Sequence, residues 1–425
     1  MISIPVHADF DKPLLIGSVA LVGGGAARLP LGTIAKCPSV ASQSLAEQAN
    51  ERRAAAQARR YDLQDAARRI LPRERVALCG RLVVPGKDAV QIWYDPEHER
   101  AHFGQLVTCG SIWHCPVCAA KIAERRRLEV AAAVAAWRSR GGLVVLVTFT
   151  LAHNLGENLQ TVLGRLKAAR ERSLSGRAAV HFKVAHGVVG SIRALEITYG
   201  VNGWHPHLHV LMFLDPEINR SVADTDYFVR DIKATWSAAV EKEGGYSTWV
   251  HGCDVQITSG EPKADSDRVS DYITKLGSQW DETYELTKSN AKMGKRAGRS
   301  PMQLLSDANK GDDKAARLWL QYACVMKGER FLYWSRRLRK MLGLNKERSE
   351  EELAEEKVST AVLVVKLALP AWRCVLSNAA RPDLLAAAAA GGYDAVVNLL
   401  AALGVGDLDM PLWPGYVPLD PLNPL

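Results

Sequence analysis

Gly203-Trp204-His205-Pro206-His207-Leu208-His209-Val210-Leu211-Met212-Phe213 carries the strongest fold signal in the chain. In a β-strand alternate side chains share a face, so His207 and His209 point the same way and can hold one metal ion. Taken alone, a His-x-His reads more simply as a half-buried strand with outward polar residues. Its upstream neighbour Arg193-Ala194-Leu195-Glu196-Ile197-Thr198-Tyr199 alternates like a strand as well, and Gly200-Val201-Asn202-Gly203 supplies turn residues between the two. A hairpin symmetric about that turn sets Glu196 opposite His207. One carboxylate and two imidazoles then share a sheet face, a mixed oxygen and nitrogen set suited to Mg²⁺ or Mn²⁺ with positions open for substrate oxygens. A bulge in the turn would spoil this register.

On either side of the hairpin, periodicity predicts a strand over Leu143 to Leu151, a helix over Leu155 to Ser175, and paired strands over Val188 to Thr198 and His207 to Leu214. A helix over Thr225 to Glu241, a strand over Asp254 to Thr258 and a helix over Asp267 to Leu276 follow. The β-α-β-β-α-β order predicts an α+β fold, a ferredoxin-like antiparallel sheet with helices on one face and its first and third strands central.

Four of the eight cysteines, Cys79, Cys109, Cys115 and Cys118, form a second pattern: C-x5-C-x2-C with a fourth thiol thirty residues upstream. Four thiolates make a tetrahedral structural Zn²⁺ site, and Cys79-Gly80 and Cys109-Gly110 offer the tight turns that ligand loops need. Unrelated buried thiols are the plainer alternative, and His102 and His114 are candidate substitutes for one cysteine. Cys37, Cys253, Cys324 and Cys374 show no such spacing. Reduced, metal-binding cysteines point to the cytoplasm.

At 425 residues and 48% hydrophobic content the chain can bury a sizeable core and hold more than one domain. A formal charge of +8 suits a polyanionic partner, although ordinary soluble proteins reach it too. No uninterrupted apolar run of 18 residues exists, so no membrane span is expected. Asp9 and Asp11 precede the apolar Leu14 to Val22 stretch where a secretory signal carries positive charge, so no leader is expected. Gly23-Gly24-Gly25 lacks the Gly-Lys-Ser/Thr of a phosphate-binding loop, so nothing suggests an ATPase.

The organisation predicted is a variable lead-in and basic helix over 1–75, a zinc-binding region and helix over 76–140, and a catalytic domain over 141–285. A basic DNA-contacting segment over 286–345 and a helical and extended tail over 346–425 complete it. The helix of Glu51 to Arg75, with its paired arginines, is either a solvated face or a DNA-contacting arm. Lys121 to Arg140 reads as a long Ala-rich helix.

Val269, Tyr272, Ile273 and Leu276 recur at helical spacing. Tyr272 is most simply a core-edge aromatic. Lys275, one turn on, can favour a phenolate or hold a phosphate. Tyrosine is a weak nucleophile at its ordinary pKa near 10, so a metal-polarised phosphate and a nearby cation are needed. Lys288, Lys292, Lys295, Arg296 and Arg299 form an acid-free run, and Arg336, Arg337, Arg339 and Lys340 follow Tyr333 and Trp334. Cations bind phosphates and aromatics stack on unpaired bases, which suits single-stranded or melted DNA. A solvated helix face is the alternative for the second cluster.

These residues together resemble the replication initiators of rolling-circle plasmids, within the His-hydrophobe-His endonuclease superfamily. The resemblance covers roughly residues 76 to 345: the cysteine region, Leu146-Val147-Thr148-Phe149-Thr150-Leu151-Ala152-His153, the Gly203 to His209 stretch, Tyr272-Ile273-Thr274-Lys275, and Met326-Lys327-Gly328 with Tyr333-Trp334-Ser335. It implies that His207 and His209 bind the divalent metal and that Tyr272 nicks one strand at a plasmid's double-strand origin. The products are a 5′-phosphotyrosyl link and a free 3′-hydroxyl for the host polymerase. A host helicase is implied as a partner, and a homo-oligomer is allowed. Glu196 as third ligand rests on the hairpin register, with His153 as the rival. Single-tyrosine members often carry a glutamate four residues before the nucleophile; Arg268 stands there, so termination must use another acid, a second subunit's Tyr272 or a reversed transesterification. A transposase of the same superfamily and a non-catalytic zinc-dependent DNA-binding repressor are the competing functions.

Overall fold

The structure, a computed structural model, describes residues 45–218, 222–247, 251–257, 298–355 and 360–406. The chain divides into two units, residues 1–47 and residues 48–425. The second has a mixed α+β architecture with two antiparallel sheets.

The larger sheet is built round the hairpin quoted above. Strands β3 (Leu143–Phe149), β4 (Val188–Gly200), β5 (Gly203–Leu214), β6 (Cys253–Ile257) and β7 (Leu332–Trp334) run in the order β6-β3-β5-β4-β7. The first and third strands of the segment, β3 and β5, therefore pair at the centre, as expected. β3 has six of its seven residues buried, which is why Leu-Val-Val-Leu-Val-Thr-Phe reads as one apolar run. The β4–β5 pairing sets Glu196 opposite His207 and Gly200 opposite Gly203, with no bulge in the turn.

Side-chain alternation divides this sheet. Glu196, His207, His209 and, on β3, Thr148 share one face with Ile192, Leu211 and Phe213, whereas Arg193, Leu208 and Val210 lie on the other. Helix α2 (Pro116–Arg138) packs on the histidine face through Trp137, edge-on to Phe213 and donating its indole N–H to the Leu214 carbonyl. On the opposite face α3 (Leu159–Leu174) meets β5, α4 (Gly176–Ala185) meets β4, and α5 (Val222–Lys242) packs on α3 and β6. The described helices of the β-α-β-β-α-β segment thus share one face, as expected, and α2, which precedes that segment, covers part of the other. Trp236 of α5 is fully buried against Phe149, with ring centroids 4.6 Å apart. Burying such a side chain stabilises by roughly 2–3 kcal/mol.

Several boundaries differ from expectation. The first helix, α1 (Leu45–Ile70), ends earlier, and Tyr61, Leu63, Ala66 and Ala67 bury its second half, so this half is neither a solvated face nor a free arm. α2 starts five residues before Lys121 because Pro116 sits at its first position, where its fixed φ suits a helix and its missing N–H costs nothing. α4 has no counterpart in the expected element order: Val180 and Val184 are exposed, and without an apolar stripe its ten residues carry little helical signal.

Helices α6 (Pro301–Asn309) and α7 (Asp313–Met326) pack on one another and lead into β7; the short α8 (Leu338–Met341) and α9 (Glu350–Glu355) follow. The region beyond residue 346 is not simply helical. β8 (Val362–Ala368) pairs with β1 (Ala89–Asp95), which pairs with β2 (Arg100–Gly104), giving a small sheet of order β2-β1-β8. α10 (Leu369–Ser377) and α11 (Arg381–Ala402) cover it through a second core containing Ile92, Val365, Trp372 and Leu384. Val-Leu-Val-Val is a strand former, but its partner lies some 270 residues away, so no local pattern reveals the pairing. Among the described residues α11 alone is long and apolar enough to cross a membrane. It is broken at Gly391–Gly392, and Leu384, Leu385, Val396 and Leu400 are buried in the second core.

Candidate metal centres and a nucleic-acid interface

The four cysteines converge. Cys79, Cys109, Cys115 and Cys118 are all buried, with their sulfurs within 4.8 Å of one another. Sγ–Sγ distances are 3.5 Å for Cys79–Cys118, 3.7 Å for Cys109–Cys118 and 3.7 Å for Cys115–Cys79. A tetrahedral site with Zn–S bonds of about 2.3 Å has edges of about 3.8 Å, so the donor set fits zinc. Local structure explains the convergence. Cys115 is the N-cap of α2 and its sulfur accepts from the Cys118 amide, while the Cys109 amide donates to Cys79 Sγ. Gly80 and Gly110 both adopt positive φ, and a Cβ at Gly110 would stand 2.8 Å from Glu351.

A surrounding layer orients the thiols. Gln64 of α1 donates to Cys115 Sγ at 3.1 Å and accepts from Arg381 Nη1 at 2.7 Å. Arg381, almost fully buried, also pairs with Asp65 at 2.9 Å and lies over the Tyr61 ring. Burial and the neighbouring thiols push the Cys115 thiol well above its ordinary pKa, whereas hydrogen bonds from Cys109, Cys115 and Cys79 hold Cys118 well below it. The cluster shares its core with the large sheet, so the cysteine region is not walled off from it. The candidate substitute His114 is engaged by the Ala323 carbonyl at 2.8 Å, and His102 lies on β2 opposite Trp93.

The histidine face is more open. His209 uses both ring nitrogens: Nε2 meets Glu196 Oε2 at 2.6 Å and Nδ1 meets Thr148 Oγ1 at 3.0 Å. The His207 and His209 rings lie nearly parallel, with centroids 6.1 Å apart and planes 12° apart. Two more imidazoles extend the row, His205 at 4.2 Å from His207 and His153 at 4.7 Å from His205. Burial lowers the pKa of His205 to about 4 and also lowers that of His153, so both are neutral bases near pH 7. The Nδ1 atoms of His153 and His205 are buried with no hydrogen-bond partner. The donor types suit a divalent ion, but Glu196, His207 and His209 do not close on a point as the cysteines do. Among the described residues the other converging group is Asp95, Glu97 and His98 at the β1–β2 turn. Sequence reasoning gave no role to Thr148 or His205; His205 stands at even spacing from His207 and His209, so parity was the available signal for it, whereas Thr148 reaches His209 only through the pairing of β3 with β5.

Tyr272, Lys275, Lys288, Lys292, Lys295 and Arg296 lie outside the described residues. Arg299, the last of that basic run, bridges to Tyr199 at the end of β4, and its guanidinium pairs with Asp307 at 3.0 Å and Asp312 at 3.7 Å. Those carboxylates offset much of the charge it was expected to offer DNA. Tyr333 and Trp334 lie in β7; Arg193 stacks on Tyr333 and Arg339 on Trp334.

The family described as Replication protein (Rep_1) matches residues 104–366, which takes in three of the cysteines, the hairpin and the Tyr272 position. "Protein rep" of Streptomyces lividans is 31% identical over 56% of this chain and 64% of its own length. A "Neomycin resistance protein" of Streptomyces cyanogenus is 32% identical over 26% of this chain and 31% of its own length. The chain therefore spans less than two thirds of these relatives. No solved structure matches. On the extent of the family match, the chain belongs to the replication-protein family.

Proposed function

We propose that the chain is a cytoplasmic plasmid replication initiator that nicks one DNA strand at an origin. Its β-α-β-β-α-β segment is read as the ferredoxin-like core of a His-hydrophobe-His endonuclease. The strand order β6-β3-β5-β4 and its antiparallel pairing support that fold. The observation that carries the activity is Glu196 opposite His207 and hydrogen-bonded to His209, on the sheet face that α2 leaves polar.

In this reading Tyr272 Oη attacks the scissile phosphorus. The P–O3′ bond breaks, the upstream segment departs with its O3′ taking up a proton to become a 3′-hydroxyl, and the 5′-phosphate of the downstream segment stays on the tyrosine. Lys275 favours the phenolate. His207, His209 and Glu196 would hold Mg²⁺ or Mn²⁺, which supplies Lewis-acid polarisation of the phosphate when bound. Thr148 and Glu196 fix the His209 ring, and the low basicity of His205 keeps a neutral imidazole beside His207 near pH 7. Cys79, Cys109, Cys115 and Cys118 would hold structural Zn²⁺. The basic run from Lys288 to Arg296 is read as a DNA contact.

The test is incubation of the purified full chain with supercoiled plasmid or single-stranded origin oligonucleotides and Mn²⁺, followed by a denaturing gel. A covalent adduct is expected that vanishes in Tyr272→Phe. An adduct persisting in that variant would remove the nucleophile, and cleavage undiminished by His207→Ala with His209→Ala would remove the metal site.

A further inference from the structure

A cavity of about 470 Å³ opens on the sheet face opposite the histidines, between α3, α4 and the β4–β7 edge. A second of about 130 Å³ shares Arg170, Arg193 and Tyr333 with it. Arg193 is the unusual group. It is half-buried, its guanidinium carbon sits 3.7 Å from the Tyr333 ring centre, and among the described residues it forms no side-chain hydrogen bond or ion pair. The acids nearby are already engaged, Glu171 by Arg170 and Glu329 by Lys167. Arg336, exposed at the rim, has no carboxylate partner among the described residues either, and Lys183 donates to a backbone carbonyl.

A guanidinium withdrawn from water with no carboxylate paired directly to it, Glu171 acting only from a distance, is costly, and its planar fork of five donors matches phosphate oxygens. Burial, with Arg170 beside it, pulls Arg193 down to about 10, which still leaves it charged at neutral pH. Neither aromatic ring at the cavity stands free for a base: Tyr333 carries Arg193, and Phe182 packs on His186 and Phe228. The cavity is built for phosphate rather than nucleobase. The cationic rim suits a chain of phosphates more than a single small anion.

We propose that this cavity is a phosphate subsite for the DNA backbone, anchored by Arg193 and flanked by Arg336 and Lys183. The inference rests on the reading that the chain handles origin DNA. Because the sheet separates the cavity from Glu196 and the histidines, it holds DNA remote from the strand being cut and has no part in the chemistry.

The test measures binding of fluorescent origin duplex and single strand to the full chain across a salt series, for wild type, Arg193→Gln and the exposed-site variant Arg336→Gln. Thermal melts check that each variant folds. Arg193→Gln should weaken binding about tenfold and Arg336→Gln about threefold. The salt slope should fall by about one for each phosphate that the variant no longer neutralises. Unchanged affinity and slope in folded variants, with wild-type adduct formation intact, would overturn the subsite and leave the proposed function standing. Arg193-dependent DNA binding without any adduct would support the subsite and defeat the nicking reaction. Titrations with inorganic phosphate and a nucleoside monophosphate separate the sources: Arg193-dependent uptake of either, with DNA binding unchanged, would overturn the backbone assignment.

Discussion

The cysteine cluster and the histidine face are two donor sets in one core that reach opposite states. The four sulfurs are buried, close on a common point and are braced by Gln64, Arg381 and two backbone amides. Glu196, His207 and His209 share a face and a hydrogen bond but do not close. Strand spacing accounts for the difference. Alternate residues along a strand are held nearly 7 Å apart, so two of them approach one ion only by rotating side chains. Turns and a helix N-terminus bring the cysteines together from three directions. A closed set suits a metal that holds the fold, and an open one suits a metal that must admit a substrate oxygen.

The severest challenge to this contrast is Cys115→Ser. If the sulfurs hold structural zinc, one equivalent of metal is lost and the variant is destabilised by roughly 4 kcal/mol or more, read by metal analysis and denaturant unfolding. A loss nearer 1 kcal/mol with no metal in the wild type would make the cluster ordinary buried thiols. On the open face the effect should fall on activity. His209→Ala should cut Mn²⁺-dependent nicking at least about 100-fold while changing the melting temperature by only a few degrees. A collapse in stability with metal affinity unchanged would make that face structural too.

Glu350, in the first turn of α9 and close to Arg126 of α2, extends the contrast to pH. Burial raises its carboxyl to about 7. A carboxyl raised on folding binds its proton more tightly in the native state, so it makes stability fall as pH rises from its unfolded value of 4.5 to about 7, then level off. Glu350→Gln should therefore stabilise at pH 8 and do nothing below about pH 4.5, as unfolding titrations at the two pH values would show. Equal effects at both would sink the assignment. The smallest expected effect is that of Thr148→Val. It removes a hydroxyl from His209 Nδ1 and should lower Mn²⁺ affinity several-fold, in a metal titration of nicking, with little change in stability.

Much of the hairpin is legible in the sequence. Glu196 opposite His207 follows from two alternating runs and a turn, because hairpin register is a local property. The start of α2 is hidden for an equally local reason: Cys115 and Pro116 read as part of a ligand loop, yet the same residues cap a helix. α4 presents no apolar stripe to detect. The pairing of β1 with β8 and the bracing of α1 by Arg381 depend on residues hundreds of positions apart, and no window along the chain contains both partners.

Neighbours along the chain control the alternation of β4 and β5, the shared face of Glu196, His207 and His209, and the identity of the candidate thiols, and all of these can be read from the residues in order. Only the tertiary structure decided that Cys79 meets Cys109, Cys115 and Cys118, that α2 covers only part of the histidine face, and that Arg193 lies above Tyr333 while the nearby acids pair with other cations. The physical reason is range. Backbone periodicity fixes side-chain direction over a few residues, whereas convergence and the supply of counter-charges are set by which distant surfaces pack together.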